Sequence, residues 1–441
     1  MNMIRVVLPN KYDLVVGDTF QLFYRGVVEA PDPFVYDVLA VCAKGKNFPR
    51  YFEFLPDEPG QYELTISVFG PDKSLLGQGR TVLDVAAAVQ PSRPVNILCM
   101  GASTVAGGEW VSEAYRRLVS EDGDPKGLGL KNIAFIGTCK KGDAGYEGYG
   151  GWQWDSYLSA TVGDMWVNCF HDKTLEDQHS IWQDDQGNLW QLETIDIRRL
   201  KFTRYKRHTA PRPQNGRMTH VRNAVQKNPV VFGSSYDERL SPFYDEGSQS
   251  IDFQKYCERN GFSGIDAVYV MLGLNGLMNV EGSLKEHCGN LVRQAKKLVD
   301  LIHRDFPSAF VKVMGVQLPC TRGGVGWNYG AVLPYCDDYG LVRYIMELNL
   351  AYKAWAEEPE YCGFVEYINV SGQLDADNMF PSIEKPVNVR SKKTEVIGVN
   401  ALHPLPEGYM MIADAVFRNM VHLCAQVRDD EAKEKYEKKN N

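Results

Sequence analysis

The sequence has little that favours a membrane, a nucleic acid or a disulfide scaffold. Among its 441 residues, no apolar run approaches the ~20 residues that a membrane-spanning helix needs. The net charge of -8 argues against nucleic acid as the main partner, because phosphate binding needs concentrated Lys and Arg. The ten cysteines are scattered singly, with no pair at CxxC spacing. That scatter favours free thiols over a disulfide framework or a zinc site.

The first residues, 1–7, also lack the charged-then-apolar pattern and small-residue cleavage site of a signal peptide. We therefore expect either a cytoplasmic protein or a secreted or periplasmic one whose signal has been removed. What the chain does have is an ordinary globular composition, with 44% hydrophobic and 24% charged residues. Its length allows two or three domains. Neither feature indicates the oligomeric state.

Residues 1–88 contain short β-rich segments separated by Gly, Pro and Asp, with no helical periodicity. This spacing predicts a small all-β sandwich of immunoglobulin-like type. The segment 86–94, which contains two prolines, is interpreted as a linker. The predicted strands are 14–16, 19–24, 35–42, 50–55, 61–69 and 80–85.

Residues 95–427 alternate strand-like and helix-like segments, which is typical of an α/β domain with a parallel sheet. The clearest helix covers 284–302, where apolar residues recur at three- and four-residue steps. A last helix is predicted for 406–427, followed by a charged, frayed tail over 428–441. The predicted core strands are 95–100, 132–136, 265–272, 309–317 and 364–370.

The stretch 161–228 is longer than a minimal α/β domain requires, and we interpret it as an insertion at the rim of the active-site face. Within it, Gly187-Asn188 lies between segments that carry Trp182 and Trp190, which predicts a β-hairpin. We expect this hairpin to shape substrate access. The basic run 198–207 that follows is interpreted as a solvated strand edge.

Two sequence blocks follow predicted strands and contain candidate functional residues. Gly101-Ala102-Ser103 ends the first strand, where a serine hydroxyl is exposed at the carboxyl edge of the sheet. Taken alone, Gly-x-Ser there is more often a turn and a helix cap than a nucleophile. The glycine-rich block 145–154 follows the second strand, and its N–H groups are able to approach a ligand closely. A plain loop with packed aromatic residues is the alternative.

Two further blocks come later in the chain. Asn275 follows the strand 265–272, so its side-chain amide is a candidate donor to a developing oxyanion, although Asn-Gly is also a common turn. His403 is one of eight histidines and lies in a loop between prolines, which would hold an imidazole in a fixed place. Each block alone favours a structural role, whereas the four together, in this order, do not.

These four blocks together resemble those of the SGNH (GDSL-like) serine hydrolase family, over about 95–427. Gly101-Ala102-Ser103 is similar to the family's Gly-Asp-Ser block, and 147–152 to its Glu-Gly-x-x-Gly-Trp block. Gly273-Leu274-Asn275-Gly276 is similar to Gly-x-Asn-Asp, and His403-Pro404 with Gly408-Tyr409 to the His-Pro-x-x-x-Gly-Tyr ending. The resemblance implies a flavodoxin-like three-layer α/β/α domain. The N-terminal region lies outside it.

The resemblance also implies roles for these residues. Ser103 would be the nucleophile and His403 its general base, in a two-step acyl transfer that needs no metal or cofactor. The oxyanion hole would consist of the N–H of Ser103, the N–H of Gly151 and the side chain of Asn275.

The sequence departs from the family pattern where the family has an Asp three residues before the His, because Asn400 occupies that position. A neutral amide is able to orient the ring but stabilises imidazolium less than a carboxylate does. We therefore expect the Nδ1 of His403 to donate to a carbonyl oxygen, from Asn400 or from nearby main chain. Glu395 and Asp377 stay open as alternative acids.

The function that these residues favour is an esterase that removes a small acyl group, most simply acetyl, from a carbohydrate. Trp152 and Trp154 are candidate sugar-binding residues, with burial in the core as an equal alternative for each. A lipase or thioesterase of the same family is a second possibility. A carbohydrate-binding protein with an inactive hydrolase domain is a third.

Overall fold

The computed structural model describes residues 4–159, 164–196, 198–205, 213, 215–236, 241–245, 247–278, 280, 282–330 and 337–440. The chain divides into two compact units. The first contains Met1–Trp154 and Cys257–Asn441, and the second contains Asp155–Tyr256.

The N-terminal part of the first unit consists of β-strands, as the turn-rich sequence predicts. A sheet in the order β2-β9-β8-β5 and a sheet in the order β3-β7-β6 contribute side chains to one buried cluster that includes Leu14, Phe20 and Ile66. All six predicted strands are present, although the immunoglobulin-like type stays a prediction. These residues belong to the same compact unit as the α/β part, so the domain boundary at 88 also stays a prediction. The strands are β1 Arg5–Val6, β2 Lys11–Val15, β3 Phe20–Phe23, β4 Val28–Glu29, β5 Asp37–Cys42, β6 Lys46–Asn47, β7 Tyr51–Phe54, β8 Gly60–Phe69 and β9 Leu75–Ala86.

The α/β part begins with a strand whose residues are almost all buried, because both faces of the sheet are covered. After it the chain forms two helices, three more strands and a short helix that crosses into the second unit. One of those strands, β13, was predicted as part of a glycine-rich loop. It pairs with β10 on one side and with β12 on the other. These elements are β10 Val95–Gly101, α1 Ser103–Ala106, α2 Glu109–Val119, β11 Ile133–Ile136, β12 Cys139–Lys141, β13 Ala144–Gly148 and α3 Trp154–Tyr157.

The second unit contains the insertion 161–228, of which 161–163, 197, 206–212 and 214 lie outside the described residues. The predicted hairpin is confirmed, since Trp182 pairs with Trp190 in antiparallel register. Both indoles are buried in the core of this unit. The basic run was wrongly interpreted as a strand edge, because β17 pairs with β16 on one side and β14 on the other. The elements are β14 Asp164–Asn168, β15 Ile181–Gln183, β16 Leu189–Asp196, β17 Arg199–Arg204, β18 Gly216–Arg222, β19 Val230–Phe232, β20 Ser234–Tyr236, β21 Tyr244–Asp245, β22 Ser250–Ile251 and α4 Phe253–Asn260, whose last residues belong to the first unit.

The chain then completes the α/β part. The predicted helix 284–302 is confirmed, and its first turn is closed by a capping box between Ser283 and Glu286. The last helix extends to Asn440, beyond the predicted end at Val427. The elements are β23 Ala267–Met271, α5 Leu284–Asp305, β24 Phe310–Met314, α6 Gly324–Tyr329, α7 Asp338–Ala356, β25 Val365–Ile368, β26 Ser382–Pro386, β27 Thr394–Gly398 and α8 Pro406–Asn440.

The five predicted core strands are all present and pair in parallel, in the order β11-β10-β23-β24-β25. β11 pairs with the first half of β10, and β13 pairs in parallel with its last two residues. Side chains from one face of β10 and β23 form a buried cluster with α2 and α8. The carboxyl ends of β10, β13, β23 and β24 therefore meet at one edge of the sheet. Within the described residues, no helix is long and apolar enough to cross a membrane.

Candidate active site

Ser103 lies directly after β10, as the first residue of α1. The helix starts here because Val105 and Ala106 both donate their main-chain N–H to the carbonyl oxygen of Ala102. Gly101 makes the turn possible, since a Cβ at this position would lie 2.5 Å from the carbonyl oxygen of Met271. This close approach of the two strands leaves Ser103 half-buried at the carboxyl edge of the sheet.

The structure brings Ser103 and His403 together, as the resemblance implies. The Oγ of Ser103 lies 2.8 Å from the Nε2 of His403, although the two residues are three hundred positions apart. Burial lowers the pKa of His403 below its ordinary value of 6.5. The ring is therefore neutral near pH 7, the state in which Nε2 is able to accept the serine proton.

The segment 399–405, called the His403 loop below, is anchored on both sides of the imidazole. Ala401 donates its N–H to the Oδ1 of Asn328 at 2.6 Å, and its carbonyl oxygen accepts the N–H of Cys320 at 2.9 Å. The Nε2 of Gln317 donates to the carbonyl oxygen of Leu402 at 3.0 Å. On the far side of His403, Leu405 donates its N–H to the carbonyl oxygen of Met379 at 2.8 Å.

Asn400 has a different role from the one expected of it. Its Oδ1 accepts the main-chain N–H of Leu402 at 3.1 Å and that of His403 at 3.0 Å. In the described part of the chain, the Nδ1 of His403 has no hydrogen-bond partner, so the predicted bond to a carbonyl oxygen is wrong for this structure. Asn400 shapes the backbone of the loop, because its short side chain closes a turn over the next residues.

Neither of the acids left open by the sequence contacts the imidazole. The carboxylate of Asp377 lies 2.5 Å from the Nε of Arg25 and accepts the hydroxyl of Thr321 at 2.5 Å. Glu395 lies exposed in β27. Among the described residues, then, Ser103 and His403 form a dyad without a carboxylate partner.

Asn275 begins the 3-10 helix that follows β23, at the same edge of the sheet as Ser103. Its Nδ2 donates to the carbonyl oxygen of Trp152 at 3.0 Å, which fixes the amide and leaves its second N–H for another acceptor. Asn275 and Ser103 line one small cavity together with Leu274, Val316 and Gln317, among others. The cavity has a volume of about 10 Å³, room for one water-sized group.

Gly151 lies exposed in the turn after β13, with φ of +80°. The loop before it is held to β10, because Tyr149 donates its N–H to the carbonyl oxygen of Gly101 at 3.1 Å. The buried carboxylate of Glu147 supports the same loop by accepting the hydroxyl of Tyr149 at 2.5 Å and the N–H of Thr138 at 2.7 Å. The loop thus has a fixed path near the nucleophile, which its glycine-rich sequence did not reveal.

The two tryptophans expected to bind sugar are packed into the protein. Trp154 is fully buried, and its indole N–H donates to the hydroxyl of Tyr352 at 2.7 Å. Trp152 is 8% exposed and stacks on Tyr149, with ring centroids 4.2 Å apart. For both residues, burial in the core is the alternative that the structure favours.

Sequence reasoning missed several residues that hold the site. Gln317 is 1% exposed and bonds to the His403 loop. The signal in the sequence was a polar residue at the end of an apolar segment, because a buried polar side chain needs a hydrogen-bond partner. Asn328 gave no comparable signal, because its partner Ala401 is distant in sequence. Glu147 lay in a block that resembles a family motif, but the resemblance did not indicate that its carboxylate supports the loop.

Within the described residues, one group of side chains has the spacing of metal ligands, namely Asp13, Asp84 and His422. It contains no residue of the Ser103 site. The carboxylate of Asp13 already accepts a hydrogen bond from Lys11 at 2.6 Å and lies 3.3 Å from the Nδ1 of His422. The group is therefore a set of polar contacts between α8 and the N-terminal strands.

No family model matches the chain, and no curated protein matches it in sequence. Among solved structures, it is similar to a carbohydrate acetylesterase from Sinorhizobium meliloti, with 13% identity and a TM-score of 0.32, over 75% of this chain and 99% of the other. A family two carbohydrate esterase from Clostridium thermocellum, solved with cellohexaose, is 11% identical with a TM-score of 0.29, over 95% and 99% of the two chains. A family two carbohydrate esterase from Corynascus thermopiles is 9% identical with a TM-score of 0.30, over 96% and 93%. These values are too low to assign the chain to a family.

Proposed function

We propose that the protein is a serine esterase that cleaves small acyl esters, most simply acetyl esters of a carbohydrate. The observation that carries the proposal is the 2.8 Å hydrogen bond between the Oγ of Ser103 and the Nε2 of His403 at the carboxyl edge of a parallel sheet. A serine hydroxyl is a weak nucleophile until an adjacent base takes its proton. The pairing of Ser103 with a neutral imidazole supplies that base.

In the proposed reaction, Ser103 attacks the ester carbonyl while His403 accepts the hydroxyl proton. The protonated imidazole then donates this proton to the leaving alcohol, and an acyl-enzyme remains on Ser103. Water attacks the acyl-enzyme, His403 accepts a proton from that water, and the acid is released as Ser103 recovers its proton. No metal is required for any of these steps.

The negative oxygen of each tetrahedral intermediate needs donors that are already in place. The second N–H of Asn275 is one candidate, since the first is held by Trp152. The main-chain N–H groups of Ser103 and Gly151 are the others that we propose, on the basis of the sequence resemblance. The anchored path of the loop before Gly151 supports this assignment.

Ser103 and Asn275 line the same small cavity, which supports a small acyl group beside the nucleophile. The preference for acetyl over the longer chains of a lipase or thioesterase rests on the resemblance of the sequence blocks. The carbohydrate as the alcohol side of the ester rests on the same resemblance.

Labelling with a fluorophosphonate tests the proposal directly, because the probe reacts with an activated serine. We expect the wild-type protein to be labelled and Ser103→Ala to be unlabelled. Ser112→Ala is the matched control and should label like the wild type, because the Ser112 hydroxyl only donates to the carbonyl oxygen of Glu109 within α2. A wild-type protein that resists labelling would favour the third interpretation, a carbohydrate-binding protein with an inactive hydrolase domain.

A panel of substrates tests the specificity. Aryl acetate, propionate, butyrate and octanoate, measured beside acetylated sugars, should show kcat/KM falling steeply after acetate. Rates that rise with chain length would contradict the short-acyl proposal and favour a lipase, while leaving the nucleophile assignment intact.

A further inference from the structure

The N-terminal strands are joined to the active-site region by two arginine–carboxylate pairs, of which the pair of Arg25 with Asp377 is largely buried. Arg25 lies in the 3-10 turn after β3, and its Nε lies 2.5 Å from the Oδ1 of Asp377. Arg50, just before β7, pairs with Asp375 and lies 3.4 Å from the Oδ2 of Asp377. The side chains of Arg25 and Asp377 are 16% and 8% exposed, so water screens this pair far less than a surface pair.

Both acids belong to one short turn, residues 375–379, that is tightly bonded within itself. Asp375 accepts the N–H of Asp377 at 3.2 Å and the side-chain amide of Asn378 at 2.8 Å through its carboxylate. Its carbonyl oxygen accepts the N–H of Met379 at 3.0 Å. The turn is therefore cross-linked by its own hydrogen bonds, and Arg25 and Arg50 contact its two carboxylates.

This turn is connected to the His403 loop on both sides of the imidazole, directly on one side and through Thr321 and Cys320 on the other. Behind His403, the carbonyl oxygen of Met379 accepts the N–H of Leu405 at 2.8 Å. Ahead of it, Asp377 accepts the hydroxyl of Thr321, whose neighbour Cys320 donates its N–H to Ala401 at 2.9 Å. Two of the contacts that fix the loop, those of the Leu405 N–H and of the Ala401 carbonyl oxygen, are thus connected to the turn 375–379.

We propose that Arg25 and Arg50 are positioning residues for the proposed esterase reaction. By holding the turn 375–379, they fix the His403 loop at the place where Nε2 reaches the Oγ of Ser103. The N-terminal strands then contribute residues that position His403. This inference rests on the proposed function, because it assigns a role in the Ser103–His403 reaction.

The backbone approach of the two regions supports the proposal. A Cβ added to Gly26, the residue after Arg25, would lie 2.0 Å from the carbonyl oxygen of Ser371. Only glycine allows the turn that carries Arg25 to come this close to the segment that leads into 375–379. The ion pairs therefore connect two pieces of backbone that are already in contact.

The test compares Arg25 with Arg5. Each of them pairs with one acid of the N-terminal strands and with one acid of the α/β part. Arg25 pairs with Asp32 and Asp377, whereas Arg5 pairs with Glu29 and Glu347, far along the chain from the His403 loop. We expect Arg25→Gln to lower kcat roughly ten- to a hundredfold with KM within about twofold. Arg5→Gln, the matched control, should keep the wild-type kcat. Arg25→Lys, which retains the charge, should recover part of the lost rate.

A second readout separates positioning from general loss of stability. The imidazole signal of His403, followed by NMR in protein with labelled histidine, should shift or broaden in Arg25→Gln and stay unchanged in Arg5→Gln. The double variant Arg25→Gln/Asp377→Asn leaves neither charge unpaired and should show the same loss of kcat. If Arg25→Gln does not fold, Arg50→Gln takes its place, since the Arg50 side chain is 37% exposed.

Arg25→Gln, or Arg50→Gln in its place, with wild-type kcat and an unchanged His403 signal would overturn the proposal. If the wild-type protein itself hydrolyses no ester, the proposed function fails, and the NMR signal alone then decides whether these arginines position the loop. The two failures are therefore distinguishable.

Discussion

The side-chain oxygen of Asn400 accepts the main-chain N–H of His403 at 3.0 Å, so Asn400 is tied to the backbone of the loop that carries the imidazole. The same oxygen accepts the N–H of Leu402 at 3.1 Å. An acid at this position in the resembling family would be expected to pair with the ring. Here Asn400 fixes the backbone of the loop instead. Burial is then the cause of the lowered pKa of the His403 ring.

Asn400→Ala removes the acceptor of two main-chain N–H groups, and we expect it to destabilise the protein by about 1–3 kcal/mol. It should also lower kcat, because the His403 loop loses its internal support. Asn400→Asp keeps an acceptor at the same place and should leave kcat unchanged or higher. Thermal unfolding and steady-state kinetics measure the two effects. If Asn400→Asp were as impaired as Asn400→Ala, the backbone role would be wrong.

The pH dependence of the reaction follows from the burial of His403. Burial lowers the pKa of the imidazole below 6.5, and the neutral ring is the form that accepts the serine proton. Activity should therefore be complete above that pKa and fall as the pH drops through it. We expect the acid limb of kcat/KM for an aryl acetate to lie below pH 6.5. An acid limb above pH 7 would indicate a carboxylate that stabilises the imidazolium in the working enzyme.

Asn275→Ala tests the oxyanion contribution. Removal of one preorganised donor typically lowers kcat by about a hundred- to a thousandfold. We expect a loss of this size for Asn275→Ala, larger than for Asn400→Ala, because only Asn275 would contact the developing charge. Since Asn275 also donates to Trp152, thermal unfolding must be measured beside the kinetics. A kcat within a few-fold of the wild type would exclude Asn275 from the oxyanion hole.

Much of the α/β part could be predicted from the sequence because of its burial on both faces. Strands such as β10 and β23 read as continuous apolar runs, and the residues that follow them had to meet at one edge of the sheet. The pairing of Ser103 with His403 was an expectation from the resemblance of the four blocks to a known family, and not from the burial pattern.

Other features depend on partners that no local pattern reveals. The strand β13 exists because β10 and β12 pair with residues that have little strand propensity of their own. The contact of Arg25 with Asp377 joins two exposed-looking charges from opposite ends of the sequence. Asn400 showed that a position in a motif does not fix what its side chain bonds to. Such contacts are set by tertiary packing, which sequence periodicity does not encode.

Trp154 illustrates the same lesson and supplies the last prediction. The residue is fully buried, its indole N–H donates to the hydroxyl of Tyr352 at 2.7 Å, and that hydroxyl donates to the carbonyl oxygen of Leu272 at 3.1 Å. The chain of bonds thus runs from the end of the glycine-rich block to the end of β23. Its role is structural, since a buried indole has no face open to a sugar.

We therefore expect Trp154→Phe to lower the melting temperature while leaving KM for an acetylated sugar unchanged. The free energy of unfolding should fall by about 1–3 kcal/mol, because the bond from the indole to the Tyr352 hydroxyl is lost and the smaller ring leaves a void. Tyr352→Phe removes the other end of the same bond, so the double variant should cost less than the sum of the two single ones. Thermal unfolding and KM measurements on the three variants check this. A raised KM in Trp154→Phe, with an unchanged melting temperature, would instead restore Trp154 as a substrate-binding residue.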